Sequence, residues 1–554
     1  MIEPGAKNFF IRIFWLLLLA GALTVMYQVW NLHSRDLSQN EGFYTALAAE
    51  INPAQPMCTA HGVGIKNNHF LLPLIANLLS RYISLPLSSI LRYVNFFFLT
   101  ATALLLSFTA GFTRDFKAGI IAAGFFCANL FIFLLSMYAE TFMIGLFCLF
   151  AAQCAWIYFG FSKGHWNLAW VCSLFFVSCG FLAAGVKIPL YFFLPLFFMH
   201  RPLKLTSRLN KKGFAVGMII FGIGIILRFW PFIFFSHQIK WDYMPLVYQG
   251  MGNFLLNIIL EPLQMLLLLF PWTLLIWMPF CVAIRPLDKT PIFSHYFRVI
   301  FITGFVFTVF NPFSVFNDFI FTLPPLALLC ALSYDTAVRR YSVEIRRMAI
   351  LCGYITAFLA ASLIIYCFFP AGEVAQYINL LPPEPNKDRI FSAIIAFMVI
   401  SLWSYHYRKH GQIWLIMLFT AAAMGIFCQL TFIPFQNNDR SRSELGLAIL
   451  KAINDDGGKQ DAIIYKNNIL DLYNESYYMK KTVIKINNFD DIDSKKNIIY
   501  LLTTDFPQYP ERTWKNIFET TYRGQKLYLY RGETTKRKEL INRRNNLSLA
   551  TELK

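Results

Sequence analysis

The residues with chemical reach in this chain gather after its first apolar stretch. Asp36, Asn40, Glu41 and Tyr44 are followed, at the end of the same polar segment, by Lys66, Asn67, Asn68 and His69. A carboxylate in such a segment can orient or deprotonate a hydroxyl. Lysine supplies a point charge suited to phosphate, and Asn amides both donate and accept hydrogen bonds. Each residue also has a plain structural use. Asp36 can pair with Arg35 or cap a helix, and Glu41 suits a helix N-terminus, where the macrodipole favours an acid. Lys66 can snorkel toward headgroups. His61 and His69 with Asp36 or Glu41 would offer metal ligands, but nothing in their spacing demands an ion. The reading is therefore that no cofactor is required, with a divalent metal open but not favoured.

Farther along, Lys187 and Arg228 are charges at or within apolar stretches, where a cation usually faces a cavity or a partner. Lys240-Trp241-Asp242-Tyr243 combines stacking rings with polar groups and can hold a sugar. An interfacial aromatic belt explains the same rings. Asp318, in Asn317-Asp318 ahead of Pro324-Pro325, can line a cavity or cap a helix. Glu140 and Glu261 are acids at membrane edges with weaker claims.

These residues sit in a chain built for lipid. Of 554 residues, 57% are hydrophobic and only 14% charged, against about 25% in soluble domains. Several uncharged runs reach about 20 residues, the length that crosses a bilayer. The net charge of +18 falls in Lys/Arg clusters between apolar runs, as the positive-inside rule produces, so nucleic acid is not implied. Holding anionic lipid or phosphate is a second use of those clusters. All but Cys58 of the eleven cysteines lie in apolar runs, and no disulfide framework is implied.

Thirteen spans are predicted: 9–30, 90–111, 118–137, 139–161, 167–184, 188–200, 214–235, 256–284, 297–312, 319–336, 348–369, 390–407 and 412–433. The first is too long for a signal peptide and is expected to be retained. With a cytoplasmic N-terminus, the loops holding Arg114, Lys163, Arg201, Arg285, Arg339 and Arg408 face the cytoplasm, and residues after 433 lie outside it. The domains expected are a membrane domain over 1–433, a small α/β domain over 434–532 and a polar tail over 533–554. Within the first outer loop, 31–89, residues 41–52 and 70–79 have the spacing of short interfacial helices. In the α/β domain, 462–466, 482–486, 498–503 and 526–531 read as strands, and 443–453, 470–479 and 511–520 as helices.

In order and motifs the chain resembles the GT-C glycosyltransferases, in the branch of lipid A aminoarabinose transferases and protein mannosyltransferase-like enzymes. The residues that carry the likeness are Asn40-Glu41-Gly42-Phe43-Tyr44, Lys66-Asn67-Asn68-His69, Gly185-Val186-Lys187-Ile188-Pro189 and Phe270-Pro271-Trp272. The resemblance implies a polytopic α-helical enzyme with a small C-terminal α/β domain, set in a bacterial inner membrane with that domain periplasmic. It implies transfer of a sugar, hexosyl or pentosyl, from a polyprenyl-phosphate carrier to a lipid, glycan or protein acceptor. Asn40 stands where the family usually carries Asp, and an amide cannot take a proton at neutral pH. The base then falls to Glu41 first and Asp36 second, with Lys66, Lys187 and Arg228 on the donor phosphate. Tyr44, Asn67, Asn68, His69, Lys240, Trp241, Asp242 and Asp318 would line the substrate. A transporter would favour repeated halves, and no repeat is found. A non-catalytic relative is the other reading, which Asn40 keeps open.

Overall fold

The computed structural model describes residues 36–534 apart from 38–39, 52–58, 62, 67–70, 137, 200–208, 210–211, 236–240, 244–250, 312–315, 369–386, 409–411, 439–440, 458–461, 468–471, 487–497, 508–511 and 523–524. The expected first span, 9–30, lies outside the described residues. The chain divides into two compact units. One comprises 1–35, 67–230 and 244–439; the other comprises 36–66, 231–243 and 440–554.

The first unit is helical. Among the described residues, nine helices are long and apolar enough to cross a membrane: Leu87–Thr113, Phe142–Ser162, Trp166–Ala184, Lys212–Trp230, Pro291–Phe310, Phe316–Arg340, Ser342–Phe368, Lys387–His406 and Ile413–Thr431. Two bent pairs raise the number to as many as eleven if each is one span, and the chain is a multi-pass membrane protein. Large aliphatic and aromatic side chains stay exposed on these helices, Phe97, Phe108 and Leu227 among them. That is the surface a bilayer solvates. Bulky rings fill the centre, with Trp156 stacked on Tyr296 at 5.6 Å and Trp170, Trp272 and Tyr334 fully buried.

Three expected spans are corrected here. The stretch 188–200 forms only the 11-residue helix Lys187–Phe197, too short to cross. The stretch 118–137 is two helices, Phe116–Cys127 and Leu130–Ser136, bent by 61°. The stretch 256–284 is likewise broken, with Phe254–Leu268 and Thr273–Phe280 bent by 109°.

Each break has a local cause. Asn129 donates from Nδ2 to the carbonyls of Phe125 and Phe126 and accepts from the Ile132 amide, closing one helix and opening the next. At the second break Pro271 has no N–H to continue a helix and follows a cis peptide bond. The two breaks meet. Trp272 Nε1 donates to the Ala128 carbonyl at 2.6 Å, and its ring lies 5.4 Å from that of Phe125.

The second unit holds two sheets. A three-stranded sheet pairs β1 (Thr59–Ala60) antiparallel to β2 (Val63–Lys66), which runs parallel to β3 (Trp241–Tyr243). A five-stranded sheet uses β4 (Ile463–Asn467), β5 (Thr482–Ile486), β6 (Ile498–Thr503), β7 (Arg512–Tyr522) and β8 (Gln525–Thr534), in the order β5-β4-β6-β8-β7. Strands β5, β4 and β6 are parallel, while β8 and β7 are antiparallel additions. Helices Ser441–Asp455 and Tyr473–Met479 supply Leu445, Ile449, Ile453 and Met479 to a core shared with Ile464, Leu502 and Leu529.

One expected element changes type. The stretch 511–520 is expected to be a helix, whereas Arg512–Tyr522 forms strand β7. Thr513, Trp514, Ile517, Phe518 and Thr520 are β-branched or aromatic, and the strand pairs along the whole of β8 with one irregularity at Ile517.

Candidate functional site

In the second unit the chemistry centres on helix Glu41–Glu50. Glu41 opens it and is 1% exposed, although it is an acidic residue at a helix end. Its backbone carbonyl accepts from the Thr45 hydroxyl. Asn40 precedes the helix as an exposed N-cap residue whose side chain makes no capping bond. Tyr44 is buried, edge-on to Phe43.

Gly42 lets this turn approach helix Tyr473–Met479. Its N–H donates to Asn474 Oδ1 at 2.8 Å, and a Cβ at that position would sit 2.4 Å from Asn474 backbone atoms. Any side chain here forces the two helices apart. Asp36 has a backbone role. Its carboxylate accepts from the Leu37 amide at 3.1 Å and from the Ser443 amide at 3.2 Å, in the first turn of helix Ser441–Asp455.

A buried histidine adjoins these elements. His61 adopts a left-handed backbone, with φ 55°. Its N–H donates to Glu50 Oε1, and its carbonyl accepts from the Lys485 N–H. The imidazole stacks on Tyr473 at 4.6 Å and shares a hydrogen bond with the Ser476 hydroxyl. The Lys466 ammonium lies 4.3 Å from the other ring of this stack, Tyr473. Burial first, then Lys466 and Lys485, hold the His61 pKa well below the ordinary value, so the ring is neutral at pH 7. Glu475, also buried, accepts from the Tyr522 hydroxyl at 2.5 Å.

Sequence reading named His61 only as a remote ligand option and missed Tyr473, Lys466 and Glu475. These three lie within ten positions of one another but about 400 after His61, and short-range pattern carries no signal of that meeting. Among the described residues no three His, Cys, Asp or Glu side chains gather to hold a metal ion.

In the first unit a second set of polar groups lies around the turn after helix Trp166–Ala184. Gly185 ends that helix with φ 80°, a conformation other residues adopt only under strain, and Lys187 opens the next helix two residues later. Lys187 Nζ donates to Asp318 Oδ2 at 2.6 Å, with the Asp side chain 1% exposed. The Arg228 guanidinium donates to the Phe181 carbonyl, on the same helix end, and lies 4.7 Å from the Phe181 ring. Tyr191, one turn past Lys187, hydrogen-bonds Thr308. An apolar groove of about 660 Å³ lies between helices Lys187–Phe197 and Pro291–Phe310, lined by Leu194, Phe198, Val299 and Phe307, the last in ring contact with Tyr191 at 5.2 Å.

The structure thus brings Lys187, Asp318 and Arg228 to the surroundings of one turn, and Glu41, Asn40, Tyr44 and Asp36 to the other unit. Lys66, Trp241 and Asp242 are placed by their backbones alone, Lys66 paired with Tyr243, Asp242 with Ile65 and Trp241 with Gly64. Asn67, Asn68, His69 and Lys240 lie outside the described residues.

No family model and no curated protein matches the chain. Solved structures do. ArnT from Cupriavidus metallidurans in the apo state superposes with a TM-score of 0.65 at 14% identity, over 95% of this chain and 98% of that one. The same protein bound to undecaprenyl phosphate superposes with a TM-score of 0.64 at 14% identity, over 93% of this chain and 98% of that one. The chain shares the membrane fold of ArnT, with a small C-terminal α/β unit.

Proposed function

We propose that this protein transfers a sugar from a polyprenyl-phosphate carrier to an acceptor at the outer face of a bacterial inner membrane. The observation that carries the reading is a fold likeness running over 95% of the chain to ArnT, which was also crystallised with undecaprenyl phosphate. The buried acid and cations supply what such a reaction needs.

Glu41 orients or deprotonates the acceptor hydroxyl as it attacks the anomeric carbon. The bond from that carbon to the phosphate oxygen breaks, and the carrier phosphate leaves with its charge stabilised by cations. Lys187 and Arg228 take that role, with Lys66 a further cation on the donor. Asp318 balances Lys187 before the phosphate arrives and holds its ammonium in place. The groove along the helix that Lys187 opens is apolar and suits an isoprenoid chain. Tyr44, Asn67, Asn68, His69, Lys240, Trp241 and Asp242 line the substrates. The expected domains, 1–433 in the membrane and 434–532 periplasmic, belong to the same reading.

The test is turnover of a labelled polyprenyl-phosphate sugar by purified protein. Glu41→Gln should lower the rate by about 10²-fold or more with expression intact, the usual weight of a general base. Full activity in that variant removes Glu41 from the chemistry. A wild-type protein that binds the carrier without cleaving it makes this a non-catalytic relative, as Asn40 in place of the family's usual Asp would then explain.

A further inference from the structure

The helix ends remote from Lys187 and Asp318 form a second polar pocket. Asp318 precedes helix Leu323–Arg340, and Arg339 and Arg340 close it, 18 residues or about 27 Å along the axis. There a cavity of about 320 Å³ is lined by Arg114, Leu287, Lys289, Asp335, Thr336, Arg339 and Arg340. Four cations face one carboxylate. That carboxylate is already engaged, by Arg114 at 3.3 Å and Lys117 at 2.8 Å.

Arg114 carries the decisive detail. Its side chain is 5% exposed, yet Nε and Nη1 are buried with no hydrogen-bond acceptor among the described residues. Asp115 lies 3.7 Å from Nε, too far for a hydrogen bond. Buried guanidinium donors without acceptors are rare in a native fold unless something else supplies the oxygens.

An apolar groove of about 400 Å³ begins at the same chain positions. Phe112 and Thr113, immediately before Arg114, line it with Phe108, Phe147, Tyr158 and Phe293. Lys163 lies over the Tyr158 ring at 5.8 Å. A surplus of cations next to a membrane-embedded apolar groove fits a molecule with a phosphate at one end and a hydrocarbon chain at the other.

We propose that the Arg114, Lys289, Arg339 and Arg340 pocket binds the phosphate of an anionic phospholipid, with one acyl chain in the adjoining groove. This site is separate from the sugar-transfer residues and does not depend on that reaction.

Full-length protein reconstituted in vesicles of neutral phosphatidylcholine, with or without phosphatidylglycerol, tests it by native mass spectrometry. Wild type should keep about one phosphatidylglycerol through delipidation. Arg339→Ala with Arg340→Ala should reduce that occupancy roughly tenfold, and Arg339→Lys with Arg340→Lys should restore most of it. Lys289→Ala alone should give a smaller loss, and it serves if the double variant fails to fold. In the second arm, inorganic phosphate is titrated into protein in neutral vesicles. Phosphate that binds wild type but not the variants, with no retained phospholipid, keeps the phosphate site and overturns its lipid source. Equal retention by wild type and alanine variants, with no phosphate binding, overturns the site.

Discussion

At the scale of single residues, the Lys187–Asp318 pair joins stability to chemistry. Taking two charges out of water is costly, and each repays the other only while both are present. Lys187→Met should take away the ammonium that pairs with the buried Asp318 carboxylate, lowering stability by about 3–5 kcal/mol. The double variant Lys187→Met with Asp318→Leu should recover most of that loss, since an apolar pair of similar volume is often neutral. Denaturant unfolding in detergent measures both. If the proposed role of Lys187 is right, the recovered double variant stays inactive toward the carrier sugar, which separates the fold from the phosphate. Full activity in the double variant makes the pair purely structural.

At the scale of elements, run length made the spanning helices legible, because nothing but lipid tolerates about 20 uncharged residues in succession. It could not reveal the bends. Hydropathy is the same on both sides of Asn129 and of Pro271, and the cause of each bend is one polar or backbone feature within an apolar run. Phe270-Pro271-Trp272 was readable as a family motif, but not its use. That became clear only when Trp272 was seen donating to Ala128, 144 positions away. Strand β7 was misread because Arg512–Tyr522 gains its pairing from β8, a tertiary fact that local spacing does not carry. Asn129→Leu should leave the Phe125 and Phe126 carbonyls and the Ile132 amide without their side-chain partner. At about 1–3 kcal/mol for each buried group left unsatisfied, the variant should unfold at clearly lower denaturant in detergent. An unchanged midpoint would mean that backbone bonds alone maintain the 61° break.

At the scale of the whole molecule, the candidate residues were legible by type but not by grouping. Glu41 was chosen because it follows Asn40 in the motif that carries the resemblance, whereas its burial depends on its own unit's long-range packing. Lys187 and Asp318, both named from sequence, turned out to be each other's partner across 131 positions. That same long-range construction sets a clock on biosynthesis. Gly42 leaves the ribosome 432 residues ahead of Asn474, the residue its amide will bond. At about 5–20 residues per second, the helix bearing Glu41 waits roughly 20–90 s for its partner. A nascent chain stopped after Asp439 should therefore be cut readily by protease within 36–66, and the finished chain should resist there. Whatever guards that segment in the interval must come from outside its own unit.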